Sequence, residues 1–246
     1  MLPGIYGAGR NWATFARDLT GRRPDWGVIL VDLRLHGHSQ GFEPPHTLSS
    51  CVHDLVMLAR HLGDAPGAIL GHSFGGKVAL MSGAALHPDQ VWVIDSTPSR
   101  TSPGGSAYRM LQVLRRLPQE FASRRDAVEA LRREGLAVDV AHWMATNLEL
   151  AADRYRWRFD LDDMEELLDD FFRRDLWDVV ERPPDPTRIH FVRGSESDVM
   201  SSSEYLRARE LGAMERVFVH EIHGGHWLHR DNPEALLALV AKNLPA

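Results

Sequence analysis

A serine flanked by glycines two positions to either side, Gly71-His72-Ser73-Phe74-Gly75, is the residue pattern of a nucleophile set on a sharp turn. Glycines are needed because such a turn presses backbone against backbone and leaves no room for a Cβ. A hydroxyl held clear in this way can attack a carbonyl. The N–H of Phe74, at the start of the helix that follows, faces the same space and can stabilise the oxyanion that develops. The hydroxyl is a weak nucleophile until a base removes its proton. Among thirteen histidines, His226 in Gly224-Gly225-His226-Trp227 is the best placed, in a loop after the last strand-like run. Its neighbours His220, His223 and His229 have no thiolate or well-spaced carboxylate to complete a zinc set, so no metal is expected. The base needs an acid to hold its tautomer. Two aspartates follow strand-like runs between serine and histidine: Asp198, the preferred acid, and Asp95, the alternative.

These residues require a scaffold of strands and helices in alternation. Short β-branched and aliphatic runs at 28–33, 68–70, 91–94, 189–192 and 217–219 with Ile222 read as buried strands. Between them the spacing predicts helices over Leu48–Leu62, 77–85 and Ser202–Leu211, and a closing helix from Asn232-Pro233 to Lys242. Strand and helix alternating in this way imply a mostly parallel sheet covered on both faces. From 98 to 186 the β-branched runs vanish and charged amphipathic helices are expected at 107–117, 125–134 and 163–172. The expected organisation is a core of 1–97 and 187–246 with an inserted helical lobe at 98–186. The acidic stretch 160–170 reads as a solvated helix face.

Composition narrows the function classes. A net charge of −6, with no lysine or arginine block, argues against a nucleic-acid partner. Cys51 is the single cysteine, which excludes an intramolecular disulfide and suits a reducing compartment. The first ten residues lack the pattern of a signal peptide and no apolar run is long enough to span a membrane, so a cytoplasmic location is expected. Oligomeric state is not legible.

Four segments together resemble the α/β-hydrolase superfamily, in particular its small serine esterases with a helical cap. They are Asp32-Leu33-Arg34-Leu35-His36-Gly37-His38-Ser39, the serine turn, Arg193-Gly194-Ser195-Glu196-Ser197-Asp198-Val199, and Gly225-His226-Trp227. Within the lobe, Tyr155-Arg156-Trp157-Arg158-Phe159-Asp160-Leu161 is similar to a segment of those esterases. In some of them the acid stands at the position of Asp95, with a serine at that of Ser197. The resemblance implies a second oxyanion donor, the backbone N–H of Ile5 in Leu2-Pro3-Gly4-Ile5. It also implies strands ahead of that loop that are missing here, so a sheet edge open to association is expected.

The implied activity is hydrolysis of a small-molecule carboxylic ester or thioester by Ser73, His226 and Asp198 or Asp95, without a cofactor. Carbon–carbon bond hydrolases and cofactor-free perhydrolases use the same residues. A slow-turnover ligand-binding receptor on this fold is the reading from a different class. The loop of His36 and His38 is expected to support the site by packing. Trp143, Met144, Trp157 and Phe159 are candidates to roof an acyl pocket.

Overall fold

The computed structural model describes residues 1–212 and 216–245. Four parallel strands form its main sheet: β1 (Ala68–His72), β2 (Gln90–Ile94), β6 (Arg188–Gly194) and β7 (Val217–Ile222), side by side in the order β1-β2-β6-β7. Leu2 extends this sheet by a parallel bridge to Gly71, donating to Leu70 O at 2.7 Å and accepting from His72 N–H at 3.2 Å.

Strand alternation gives the sheet two apolar faces. On β2, Val91 and Val93 join the core that holds α2 (Leu48–Leu62) and α3 (Phe74–Leu86). Trp92 and Ile94 point the other way, into a second core with Trp12, α1 (Ala13–Arg22) and α11 (Pro233–Asn243). Helix α2 is bounded as its sequence predicts: the Thr47 side chain accepts from Ser50 N–H at one end, and Gly63 takes φ 74° at the other. Between α11 and β6 lie α9 (Ser202–Leu211) and α10 (Leu228–Asp231).

Between β2 and β6 the chain leaves the sheet and forms α4 (Gly105–Arg116), β3 (Glu120–Phe121), α5 (Arg124–Arg133), α6 (Val138–Ala145), β4 (Leu148–Ala151), β5 (Arg154–Trp157), α7 (Leu161–Arg173) and α8 (Trp177–Glu181). The expected helices are present. The antiparallel sheet β3-β5-β4 was not foreseen. Its hairpin turns at Ala152, φ 54°, without the glycine or asparagine that marks such turns in a sequence.

Two further expectations need correction. The run 28–33 is not a strand of the sheet. Its hydrogen bonds toward the chain start are two, Met1 N–H to Ile29 O at 2.7 Å and Val31 N–H to Met1 O at 3.1 Å, which is too little for a ladder. The acidic stretch 160–170 is not wholly solvated. Asp160 caps α7 through Asp162 and Asp163 N–H, and buried Asp170 accepts from Leu48 N–H at 2.8 Å, fixing the start of α2. No helix of the described residues is long and apolar enough to cross a membrane.

Candidate active site

Ser73 sits between β1 and α3 with φ 53° and ψ −116°, a conformation that L residues rarely adopt. The glycines around it explain how the chain tolerates that turn. A Cβ on Gly71 would lie 1.9 Å from Gly75 O, and one on Gly75 would lie 2.4 Å from Pro3 O. Larger residues at either position would push the serine loop away from β1 and from the 3–7 loop.

His226 follows β7. Its Nδ1 donates to Asp95 Oδ2 at 2.7 Å, which leaves Nε2 unprotonated in the neutral ring. Asp95 follows β2 directly, at φ 44°, and its side chain is fully buried. Two further donors compensate that burial: Gly194 N–H to Oδ1 at 2.9 Å and Ser197 Oγ to Oδ2 at 2.6 Å. The structure therefore places Asp95, not the preferred Asp198, against the histidine. Asp198 is exposed and accepts no hydrogen bond among the described residues. The reason lies in the loop after β6, which turns Ser197 inward to Asp95 and Asp198 outward.

His72, inside the serine motif, is not marked by any spacing in the sequence, yet it holds His226 in place. Its Nε2 must carry the proton, because it donates to the carbonyl of His226 at 2.8 Å. Burial, together with His226 and His229 nearby, holds its pKa well below the ordinary imidazole range, so it stays neutral. A Cβ on Gly4 would approach His72 Nδ1 to 3.0 Å, which ties the 3–7 loop to the same ring.

That loop is built tightly. Gly7 N–H donates to Gly4 O, Tyr6 takes φ 60°, and the Tyr6 carbonyl accepts from buried Asn147 Nδ2 at 2.8 Å. Tyr6 Oη donates to Ala107 O of α4. Nothing in the spacing of the sequence marked Asn147 for this task. The N–H groups of Ile5 and Phe74 have no acceptor among the described residues. Ser73 Oγ likewise makes no hydrogen bond there, and it shares with His226 the wall of one cavity of about 360 Å³.

Apolar side chains of the 98–186 segment complete this cavity: Ala107 and Met110 of α4, and Val140 and Trp143 of α6. Trp143 packs on Trp227 at a centroid distance of 5.2 Å. Met144, Trp157 and Phe159, the other candidates for a roof, are instead buried in the packing of that segment. The loop of residues 32–39 is structural: Asp32 accepts from Gly9 and His38 N–H, and Arg34 forks onto Asp54 at 2.7 and 2.9 Å. Among the described residues no group of three or more metal-ligating side chains is gathered.

Comparison with known proteins agrees with this architecture. The sequence profile of the alpha/beta hydrolase family matches residues 1–239. The sn-1-specific diacylglycerol lipase ABHD11 of Danio rerio is 29% identical over 245 residues, covering 95% of this chain and 74% of its own length. Its counterpart in Mus musculus is 28% identical, covering 99% and 80%. Among solved structures, a marine microorganism esterase superposes with a TM-score of 0.81 at 24% identity, covering 98% of this chain and 92% of its own.

Proposed function

The chain belongs to the alpha/beta hydrolase family, and on that premise we propose that it hydrolyses carboxylic esters or thioesters through an acyl-enzyme on Ser73. The observation that carries this reading is the bond from His226 Nδ1 to Asp95 at the cavity that holds Ser73. It fixes the tautomer in which Nε2 is free to act as a base.

In the first step His226 Nε2 takes the Ser73 proton as Oγ attacks the carbonyl carbon. This requires the two atoms to close to hydrogen-bond distance, an approach that often tightens only with substrate bound. The negative charge gathers on the carbonyl oxygen, and in this reading the N–H groups of Ile5 and Phe74 donate to it. His226 then gives its proton to the leaving alcohol or thiol. Water, activated by the same histidine, attacks the acyl-enzyme, restores Ser73 and releases the acid. Asp95 stabilises the imidazolium in both halves without itself taking the proton.

The apolar cavity wall, from Met110, Val140 and Trp143, supports an apolar acyl group, and the 98–186 segment serves in this reading as the cap that shapes specificity. The Danio rerio relative is named for a lipid ester, and a glycerolipid is a substrate class to include in the test.

A series of p-nitrophenyl esters from acetate to laurate, with diacylglycerol alongside, tests the proposal on wild type and Ser73→Ala. Wild type is expected to turn over and the alanine variant to lose at least about 10³-fold in kcat. Wild-type rates in Ser73→Ala would overturn the serine mechanism, and no turnover in wild type would favour a ligand-binding role.

A further inference from the structure

A second cavity, of about 730 Å³, opens on the other side of α6 from the ester cavity. Val140 and Trp143 of that helix face the ester site, while His142 and Ala145, on the opposite side of the helical turn, face the second cleft. Five arginines line it, Arg10, Arg124, Arg125, Arg132 and Arg158, against one carboxylate, Glu129. In a chain with a net charge of −6 this concentration of cations is not a consequence of composition.

The local structure accounts for part of it. Arg124 is structural, donating to Ala145 O and Leu148 O at the end of α6. Arg125 is paired with Glu129, and Arg10 spends one N–H on Thr146 O. Two arginines remain with donors to offer. Arg132 has no acidic partner among the described residues, and Arg158, whose Nη1 stands 3.4 Å from the His38 ring nitrogens, has a buried Nε without an acceptor. Arg125, Glu129 and Arg132 recur at helical spacing on one face of α5. Arg124 and Arg125 also occupy the first turn of α5, the end at which the helix dipole favours negative charge. Like charges arranged in this way repel one another, and an anion would relieve them.

We propose that this cleft binds a small molecule carrying more than one phosphate, at a site separate from the ester cavity. Guanidinium forks match phosphate oxygens in pairs, and a cleft of 730 Å³ with arginines spread around it exceeds what a single phosphate would fill. Arg10 comes from the 3-10 turn before α1, and the other four from the 98–186 segment. A ligand held by both would fasten that segment to the sheet.

Calorimetric titration with inorganic pyrophosphate at low ionic strength tests the site, with inorganic phosphate and citrate as comparison anions. Saturable one-to-one binding is expected, at least tenfold tighter for pyrophosphate than for either comparison anion. It should weaken at least tenfold in Arg132→Ala/Arg158→Gln, a variant whose unfolding midpoint is checked first against wild type. Single-site variants replace the double if its midpoint falls by more than a few degrees. Absence of saturable binding, equal affinity for citrate, or unchanged affinity in the folded variants would overturn the proposal.

Discussion

His226 Nδ1 lies 2.7 Å from Asp95 Oδ2, joining residues 131 apart in sequence at the ends of two strands separated by β6. The carboxylate is inaccessible to solvent and the imidazole is partly exposed, so one end of the pair is shut off from water and the other faces the cavity. Asp95→Asn is expected to keep the fold and lower kcat for an ester by about 10³- to 10⁴-fold, because the amide favours the wrong tautomer. Asp198→Asn should stay within about twofold of wild type. The reverse pattern would return the acid to Asp198.

Ser197 donates its hydroxyl to the same Asp95 oxygen at 2.6 Å and so fixes the carboxylate from the far side. Its role is positioning. Ser197→Ala should lower kcat about tenfold with little change in KM, the scale of one buried hydrogen bond to a charged group. An unchanged kcat would show that Gly194 N–H alone suffices to orient Asp95.

The elbow is a steric requirement. Gly71→Ala puts a methyl 1.9 Å from Gly75 O, where no flexible side chain can move aside. The variant is expected to accumulate little folded protein and to lose ester hydrolysis. Gly21→Ala near the end of α1 meets nothing within 4 Å and should instead stabilise by about 0.5–1 kcal/mol. Circular dichroism melts of the two variants check the contrast, and an active, stable Gly71→Ala would refute it.

Lys77, one turn into the helix that starts beside Ser73, is 1% exposed. Its ammonium donates to Ser99 O at 2.7 Å, Phe171 O at 2.8 Å and Arg174 O at 2.9 Å, clasping the C-terminal end of α7 to α3. Lys77→Met leaves those carbonyls without their donor, and urea denaturation should show a loss of about 3 kcal/mol. A change below about 0.5 kcal/mol would mean the carbonyls find other donors.

Several histidines are buried neutral. Burial lowers His36 and His229 to about 4 and His190 to about 3, and holds His72 well below its ordinary value. The unfolded chain takes up protons near pH 6.5 that the folded chain refuses. The contribution of these histidines to stability is therefore flat above that pH and falls below it, by about 1.4 kcal/mol per pH unit for each until the folded pKa is reached. His190 is stacked between Trp92 at 4.1 Å and Phe218 at 4.7 Å, so His190→Phe keeps the packing and removes one such group. Urea melts at pH 7.5, 6.0 and 5.0 should show a shallower acid slope in the variant. Equal slopes would contradict the burial argument.

What the sequence disclosed and what it withheld follow from the range of the interactions. Ser73 and Phe74 are set by a local turn whose glycines are visible in the motif, and the strands at β2 and β6 by their own β-branched runs. The acid depends on where two loops meet in space. Asp95 and Asp198 both follow strands, and what separates them is that Asp95 is buried where His226, Gly194 and Ser197 donate to it. The hairpin of β4 and β5 was hidden because its turn carries Ala152 rather than glycine. His72 and Asn147 act through backbone carbonyls of distant loops, which leaves no spacing to read.

The central claim is that Ser73 becomes acylated, and peptide mapping by mass spectrometry after treatment with a fluorophosphonate tests it most directly. A single adduct on the peptide containing Ser73, absent in Ser73→Ala and slowed in Asp95→Asn, is the predicted result. An adduct on another residue, or none in folded wild type, would contradict it.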